Sequence, residues 1–205
     1  MSLLKGTLTV RRYRAQGEVP ADFRERFQEA LQDHAFREPK SATFDGETVG
    51  WVLTRNLLEA DFSNHDHWLF NQYLCACLRV DKKVLPAKLV RAHVEQRVIR
   101  WCTEHDRERA PGAVKSEIKE AVQAELMLRC LPRVAVHEFC WNVADGWVLF
   151  LGTSQAANDR FRKLFRATFG VVLMPWSPLD FLQDVPELAQ TLEVQGLSDF
   201  GGGVR

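Results

Sequence analysis

The sequence predicts an α+β protein with mainly antiparallel sheets, two long central helices and a β-β-α-β unit in its second half. Three observations lead to this fold class. Some segments alternate polar and apolar residues with the period of a strand, and others repeat apolar residues with the period of a helix. Two long helical segments follow one another with no strand between them. A hairpin signal then joins two strands directly, which is typical of antiparallel pairing.

Length and composition are those of a folded protein. Of the 205 residues, 46% are hydrophobic and 26% are charged, enough for one or two domains with a sizeable core. No apolar run approaches the roughly 18 residues that cross a bilayer, and the first residues lack a signal-peptide pattern. We therefore expect a cytoplasmic protein with no membrane partner. The five cysteines include no Cys-x-x-Cys pair and are expected to be reduced and buried: Cys75, Cys77, Cys102, Cys130 and Cys140.

The first 81 residues predict strands around one helix. Residues 7–11 alternate, and Gly17 ends this first strand. A helix follows, because apolar residues recur at Phe23, Phe27 and Leu31. Residues 40–67 are expected to be loop-rich, with a short strand at 48–53. Residues 68–80 predict a buried strand that ends at the charged turn 81–83.

The second half predicts two long helices and the β-β-α-β unit. Pro86 opens a helix that ends near His105, and Pro111 with Gly112 separates it from a helix that reaches about Cys130. Residues 133–143 and 147–151 predict a hairpin whose turn contains Gly146. A helix over 156–169 and a strand over 171–174 complete the order.

The domain organisation follows from this order and from the charges. We expect one folded region over residues 1–178, with room for two sub-domains, 1–81 and 134–178, joined by the helical segment 82–133. Residues 179–205 are expected to form an acidic, partly flexible tail, because residues 177–204 hold five Asp and Glu and no Lys or Arg.

Charge is concentrated in the middle of the chain. The 27 Lys and Arg equal the 27 Asp and Glu, which argues against coating of nucleic acid through overall charge. Residues 82–133 nevertheless hold twelve basic against seven acidic residues, a net charge of +5. A salt-bridged, solvated helix pair is the alternative to an anion-binding face. The candidate DNA-binding residues are Lys82, Lys83, Lys88, Arg91, Arg97, Lys115, Lys119, Arg129 and Arg133.

One polar segment invites an enzymatic interpretation. His65 and His67 on a strand would lie on one face, with Asp61 and Asp66 nearby, as a divalent metal site requires. The alternative is an exposed polar loop, which we favour because no second carboxylate or histidine group stands at a partner spacing. The chain has no nucleophile elbow, phosphate loop or dinucleotide fingerprint. No catalytic residue, metal, cofactor or small-molecule substrate is therefore predicted.

Several motifs in order carry a family resemblance. Residues 83–98 read KVLPAKLVRAHVEQRV, residues 114–134 read VKSEIKEAVQAELMLRCLPRV, and residues 148–165 read VLFLGTSQAANDRFRKLF. Gly50-Trp51-Val52 and the close at residues 172–178 add to these. Together they resemble the RdgC family, recombination-associated DNA-binding proteins of bacteria, over about residues 7–178.

The resemblance implies an α+β fold whose dimer forms a ring around duplex DNA, with basic residues facing the hole and little sequence preference. The family has also been labelled an exonuclease. Full-length relatives continue well beyond the point matching Pro178, so we interpret this chain as a short version. Where relatives carry an aromatic residue at a subunit contact, this chain has Leu131 or Val134.

The expected function is therefore non-sequence-specific binding of double-stranded DNA in recombination or replication, by a nucleoid-associated homodimer. A dimer is also expected because Trp141, Trp147, Phe150 and Phe169 fall in a unit that can bury only one face fully. One alternative is a truncated relative that acts as a protein-interaction or assembly module. The other is a metal-dependent nuclease that uses residues 61–67.

Overall fold

The strands form one sheet in the computed structural model, which describes residues 8–39 and 46–176. The strand order is β2-β4-β5-β6-β1-β7, β3 pairs with β4 beside this path, and every pairing is antiparallel. The elements are β1 (Arg11–Gln16), α1 (Phe23–Asp33), β2 (Glu47–Val52), β3 (Leu69–Phe70), β4 (Tyr73–Lys82), α2 (Ala87–Glu104), α3 (Gly112–Arg129), β5 (Arg133–Asn142), β6 (Trp147–Phe150), α4 (Gln155–Phe169) and β7 (Val172–Pro175).

The predicted α+β class is confirmed, and so are the four helices and the β5–β6 hairpin. Gly146 adopts a left-handed φ of 71° in the hairpin turn, where a side chain would be strained. Strands before and after the two long helices share the sheet. The two sub-domains stay a prediction, and the predicted tail at 179–205 lies outside the described residues. No helix in the described part of the chain is long and apolar enough to cross a membrane.

The first strand begins later than the alternation predicts. The expectation of a strand over 7–11 was wrong, because β1 starts at Arg11. Tyr13 supplies its core contact: it is buried and lies opposite Val148, whereas Leu8 is exposed. The residue that holds this strand to the sheet therefore lies beyond the alternating segment.

The strand predicted over 68–80 is two strands. Asn71 has a φ of 56°, and this turn folds β3 back onto β4. β4 also extends to Lys82, so the predicted charged turn at 81–83 was wrong. Asp81 is buried in the strand because its charge is neutralised by Arg79 on the same face.

Aromatic residues fill the core between one face of the sheet and helices α1 and α4. Trp141 and Phe150 of the sheet are fully buried, and Phe150 stacks on Phe161 of α4 with ring centroids 4.1 Å apart. Phe169 is also buried and meets Phe27 of α1 edge to face. The expected open aromatic patch was therefore wrong for Trp141, Phe150 and Phe169, because the two helices cover it together.

Buried polar groups fix α4 on the sheet. The Tyr13 hydroxyl donates to Asn158, whose side-chain amide donates to the Gly152 carbonyl oxygen at 2.8 Å. Burial raises the pKa of Tyr13, so its hydroxyl remains a donor. The Trp51 indole N–H donates to the Thr168 hydroxyl at 2.8 Å. These bonds satisfy groups whose burial would otherwise be costly.

The opposite face of the sheet holds a buried ion pair. The Arg79 guanidinium donates to both carboxylate oxygens of Asp81, at 2.9 and 2.7 Å. It also donates to the Leu57 carbonyl oxygen at 3.0 Å and lies 4.0 Å from the ring centroid of Phe36. One side chain therefore fixes the β2–β3 connection and the segment after α1 to the same face.

Helices α2 and α3 form what we call the helical arm, residues 87–129. They pack chiefly against each other, α2 buries no residue and α3 buries only Val122. The arm leaves the sheet after Lys82 and returns at Arg133, two residues that lie opposite each other in β4 and β5.

We expect Asp81→Ala to lower the free energy of unfolding by about 3–5 kcal/mol, because it leaves the Arg79 charge buried without its partner. Urea denaturation of both proteins measures this loss. Asp22→Ala is the matched control: its ion pair with Arg26 is exposed and contributes about 0–1 kcal/mol. Equal losses in the two variants would show that the Arg79–Asp81 pair does not stabilise the fold.

Candidate nucleic-acid interface

Two cations meet at the base of the arm. Lys82 and Arg133 are both exposed and lie directly opposite each other on β4 and β5. Like charges at opposite positions of a sheet destabilise it. Glu47, the neighbour of Lys82 on β2, is engaged by Arg160 at 2.7 and 2.8 Å, and this hydrogen bonding lowers the pKa of Glu47. Two exposed cations therefore face each other where the arm leaves the sheet, and Glu47 interacts with one of them, Lys82.

Four further candidate cations are exposed along the arm. Lys88 and Arg91 lie three residues apart on α2, and Lys115 and Lys119 lie four residues apart on α3, so each pair shares a helix face. Together with Lys82 and Arg133 they make a set of six, which we call the arm cations. None of the six forms an ion pair with a described residue. They are the predicted residues best placed to meet an anion.

The other three predicted residues form hydrogen bonds or ion pairs with residues of the arm. Lys83 donates to the Met127 carbonyl oxygen at 2.9 Å, which joins the start of the arm to the end of α3. Arg97 donates to the Glu125 carboxylate, and Arg129 lies 3.2 Å from its other oxygen. The salt-bridged alternative therefore describes Arg97 and Arg129, and anion binding by the arm cations stays a prediction.

The length of the arm sets what it can contact. An 18-residue helix is about 27 Å long. At roughly 3.4 Å per phosphate of one strand, that length spans about eight phosphates of a duplex. The arm is therefore long enough to contact several backbone phosphates.

The structure also has a second basic surface, which the sequence did not predict. Arg162, Lys163 and Arg166 of α4 line an open groove of about 550 Å³ with Asp159 and Leu173, and we call it the α4 groove. None of the three cations forms an ion pair with a described residue. Their spacing on one helix is visible in the sequence, but the apolar period of α4 alone does not show that they share a groove with β7.

Residues 61–67 do not have the strand geometry that the metal hypothesis requires. Residues 65–67 form a short 3-10 turn. The two ring nitrogens of His67 lie 3.1 Å from Arg55 Nη2 and 3.3 Å from Asn64 Nδ2. Asp61 accepts from the Ser63 backbone N–H, which lowers the pKa of Asp61. Within residues 8–39 and 46–176, no three His, Cys, Asp or Glu side chains cluster as metal ligands would.

The cysteines are free thiols, as expected, but they are less buried than predicted. Only Cys77 is buried, and the other four are half-buried. Burial raises the pKa of Cys77 to about 12, so this thiol stays protonated at neutral pH.

Comparison with known protein families identifies a match over most of the chain. The model of the family described as "Putative exonuclease, RdgC" matches residues 9–189 of the chain. A search of curated proteins finds no match.

We expect Glu125 to titrate below its ordinary pKa, because Arg97 donates a hydrogen bond to its carboxylate. A lowered pKa in the folded state means that the ion pair stabilises the arm above the ordinary value and stops doing so as the pH falls through the lowered value. NMR titration of the Glu125 carboxyl carbon measures this. In Arg97→Ala the value should return toward normal, whereas Arg100→Ala should leave it unchanged. Equal values in wild type and Arg97→Ala would contradict the pairing.

Proposed function

The chain belongs to the RdgC family of recombination-associated, DNA-related proteins, and from this premise we propose that it binds double-stranded DNA through the helical arm without sequence preference. The observation that carries the proposal is the set of six arm cations, exposed and without ion pairs among the described residues. Such cations gain from phosphate because they break no internal ion pair to reach it, although Lys82 also interacts with Glu47 on the neighbouring strand.

The chemistry of these residues accounts for the lack of sequence preference. Lys and Arg neutralise phosphates and release condensed counterions, and this contribution is the same for every sequence. An exposed arm can lie along a duplex without inserting a helix into a groove. Association with the nucleoid and a role in recombination or replication follow from such binding.

We propose a homodimer joined through the apolar surface of the arm and its base. The exposed apolar side chains there include Ile99, Leu128 and Leu131, and Leu131 is 87% exposed. Contiguous apolar patches on soluble proteins commonly mark interaction sites, and most homo-oligomers are closed by two-fold symmetry. Two arms related in this way can present their cations to one duplex if the opening is at least about 20 Å across. The same surface would equally serve a protein-interaction module, so DNA binding is the decisive test.

Duplex affinity is expected to fall steeply with salt. Six phosphate contacts give a slope of roughly −5 for log K against log salt. Lys88→Ala/Arg91→Ala should reduce the steepness by roughly 2 and weaken binding equally on two unrelated sequences. Fluorescence anisotropy over a salt series measures both quantities.

The matched control for this experiment is Lys163→Ala/Arg166→Ala in the α4 groove, which removes the same charge from another surface. If only the control lost affinity, the arm would not be the interface. Strong preference for one duplex would overturn non-specific binding. The same reactions with Mg²⁺ and with a chelator test the nuclease alternative, since metal-dependent shortening of the duplex would overturn a purely binding function.

Leu131→Glu is expected to convert the dimer to a monomer, because it places a charge in the proposed apolar contact. Light scattering at micromolar concentration, with and without duplex, measures the mass. Leu58→Glu is the control, since Leu58 is 73% exposed in the β2–β3 connection, away from the arm. A wild-type protein that is monomeric under both conditions would contradict the dimer.

A further inference from the structure

We propose that Cys75 and Cys140 form a reversible oxidation site, in which peroxide converts the two thiols to a disulfide that joins β4 to β5. The two residues lie directly opposite each other in the register of these strands. Both are free and half-buried on the face of the sheet away from α1 and α4. This inference is independent of DNA binding.

The hydrogen-bond pattern shows that this pair has the closer of the two antiparallel spacings. The Cys75 N–H donates to the Trp68 carbonyl oxygen at 2.7 Å, so the polar backbone groups of Cys75 point away from β5. The Leu151 N–H donates to the Glu138 carbonyl oxygen, so the backbone polar groups of Glu138 point toward β6. Every second residue of a strand points these groups to the same side, so those of Cys140 also point toward β6. Cys75 and Cys140 are therefore a non-hydrogen-bonded pair, with Cα atoms about 4.5 Å apart and side chains close together.

That spacing permits a disulfide and distinguishes this pair from the others nearby. Disulfides join Cα atoms about 4.4–6.8 Å apart. Cys77 lies opposite Glu138 and is only a diagonal neighbour of Cys140, at roughly 7–8 Å. The register therefore favours Cys75 over Cys77 as the partner of Cys140.

The interaction between the two thiols assigns their roles. The interaction between the two facing thiols lowers the pKa of Cys140 and raises the pKa of Cys75. Burial also raises the pKa of Cys75. Because the thiolate is the nucleophile, Cys140 is the thiol that attacks peroxide first.

The oxidation balances in two steps. The Cys140 thiolate attacks one peroxide oxygen, so an S–O bond forms, the O–O bond breaks, and hydroxide takes up a proton and leaves as water. The Cys140 sulfenic acid is then attacked by the sulfur of Cys75: the S–S bond forms, the S–O bond breaks, and the Cys75 proton leaves with the hydroxyl group as a second water. The two thiols supply the two electrons that reduce peroxide, and a dithiol reductant restores them.

Peptide mapping of the full chain tests the site directly. The protein is treated with hydrogen peroxide, its remaining thiols are alkylated, and its peptides are examined under non-reducing conditions. We expect a Cys75–Cys140 linked peptide, a fall from five alkylated thiols to three, and full reversal by dithiothreitol. Five alkylated thiols, a different linked pair, or irreversible oxidation of Cys140 in the wild type would each overturn the proposal.

Single variants provide the controls. Cys75→Ser and Cys140→Ser should abolish the linked peptide, whereas Cys77→Ser and Cys102→Ser should retain it. Circular dichroism checks that each variant is folded, and the wild-type map decides the question even if one variant fails to fold. Formation of a Cys77–Cys140 link in the wild type would contradict the register argument.

Discussion

The pairing of β4 with β5 is the constraint on which the rest of the structure depends. Ten consecutive residue pairs join these strands, which is the longest pairing among the strands that the structure describes. One face of the pair carries buried aromatic side chains of the core, and the other carries the Arg79–Asp81 ion pair and the two facing cysteines. Its last pair, Lys82 and Arg133, is the base of the arm. A shift of one residue would exchange the two faces and would place charge in the aromatic core.

The helices and the hairpin could be predicted because their signals are local. Pro86 and Pro111 precede α2 and α3, and Ser154 caps α4 with its side chain. The start of β1 and the turn at Asn71 could not be predicted, because tertiary pairing decides which residues of a β-prone segment join the sheet. The predicted exposure of the aromatic residues was wrong for a related reason. Periodicity shows which face of α4 is apolar, but it does not show that α1 also packs on the same face of the sheet.

The sequence could locate the basic segment of the chain but not which of its cations form ion pairs. Charge counting found the basic middle of the chain, and the structure separates six arm cations from the residues that tie the arm together. Arg97 and Arg129 both meet Glu125, and this depends on how α2 packs on α3. The α4 groove could not be predicted from net charge over a segment, because the charge of a surface depends on which side chains the fold brings together there.

The arm has a further consequence for how the chain folds. It separates β4 from β5 in the sequence, so their pairing cannot be nucleated by a tight turn as that of β5 and β6 can. Contacts between residues distant in the chain slow folding, because loop closure precedes the gain from pairing. Helices α2 and α3 are local structures that form in about a microsecond. Once the two helices pack as a hairpin, they bring Lys82 close to Arg133. The helical arm thereby shortens the search for the correct register of β4 and β5.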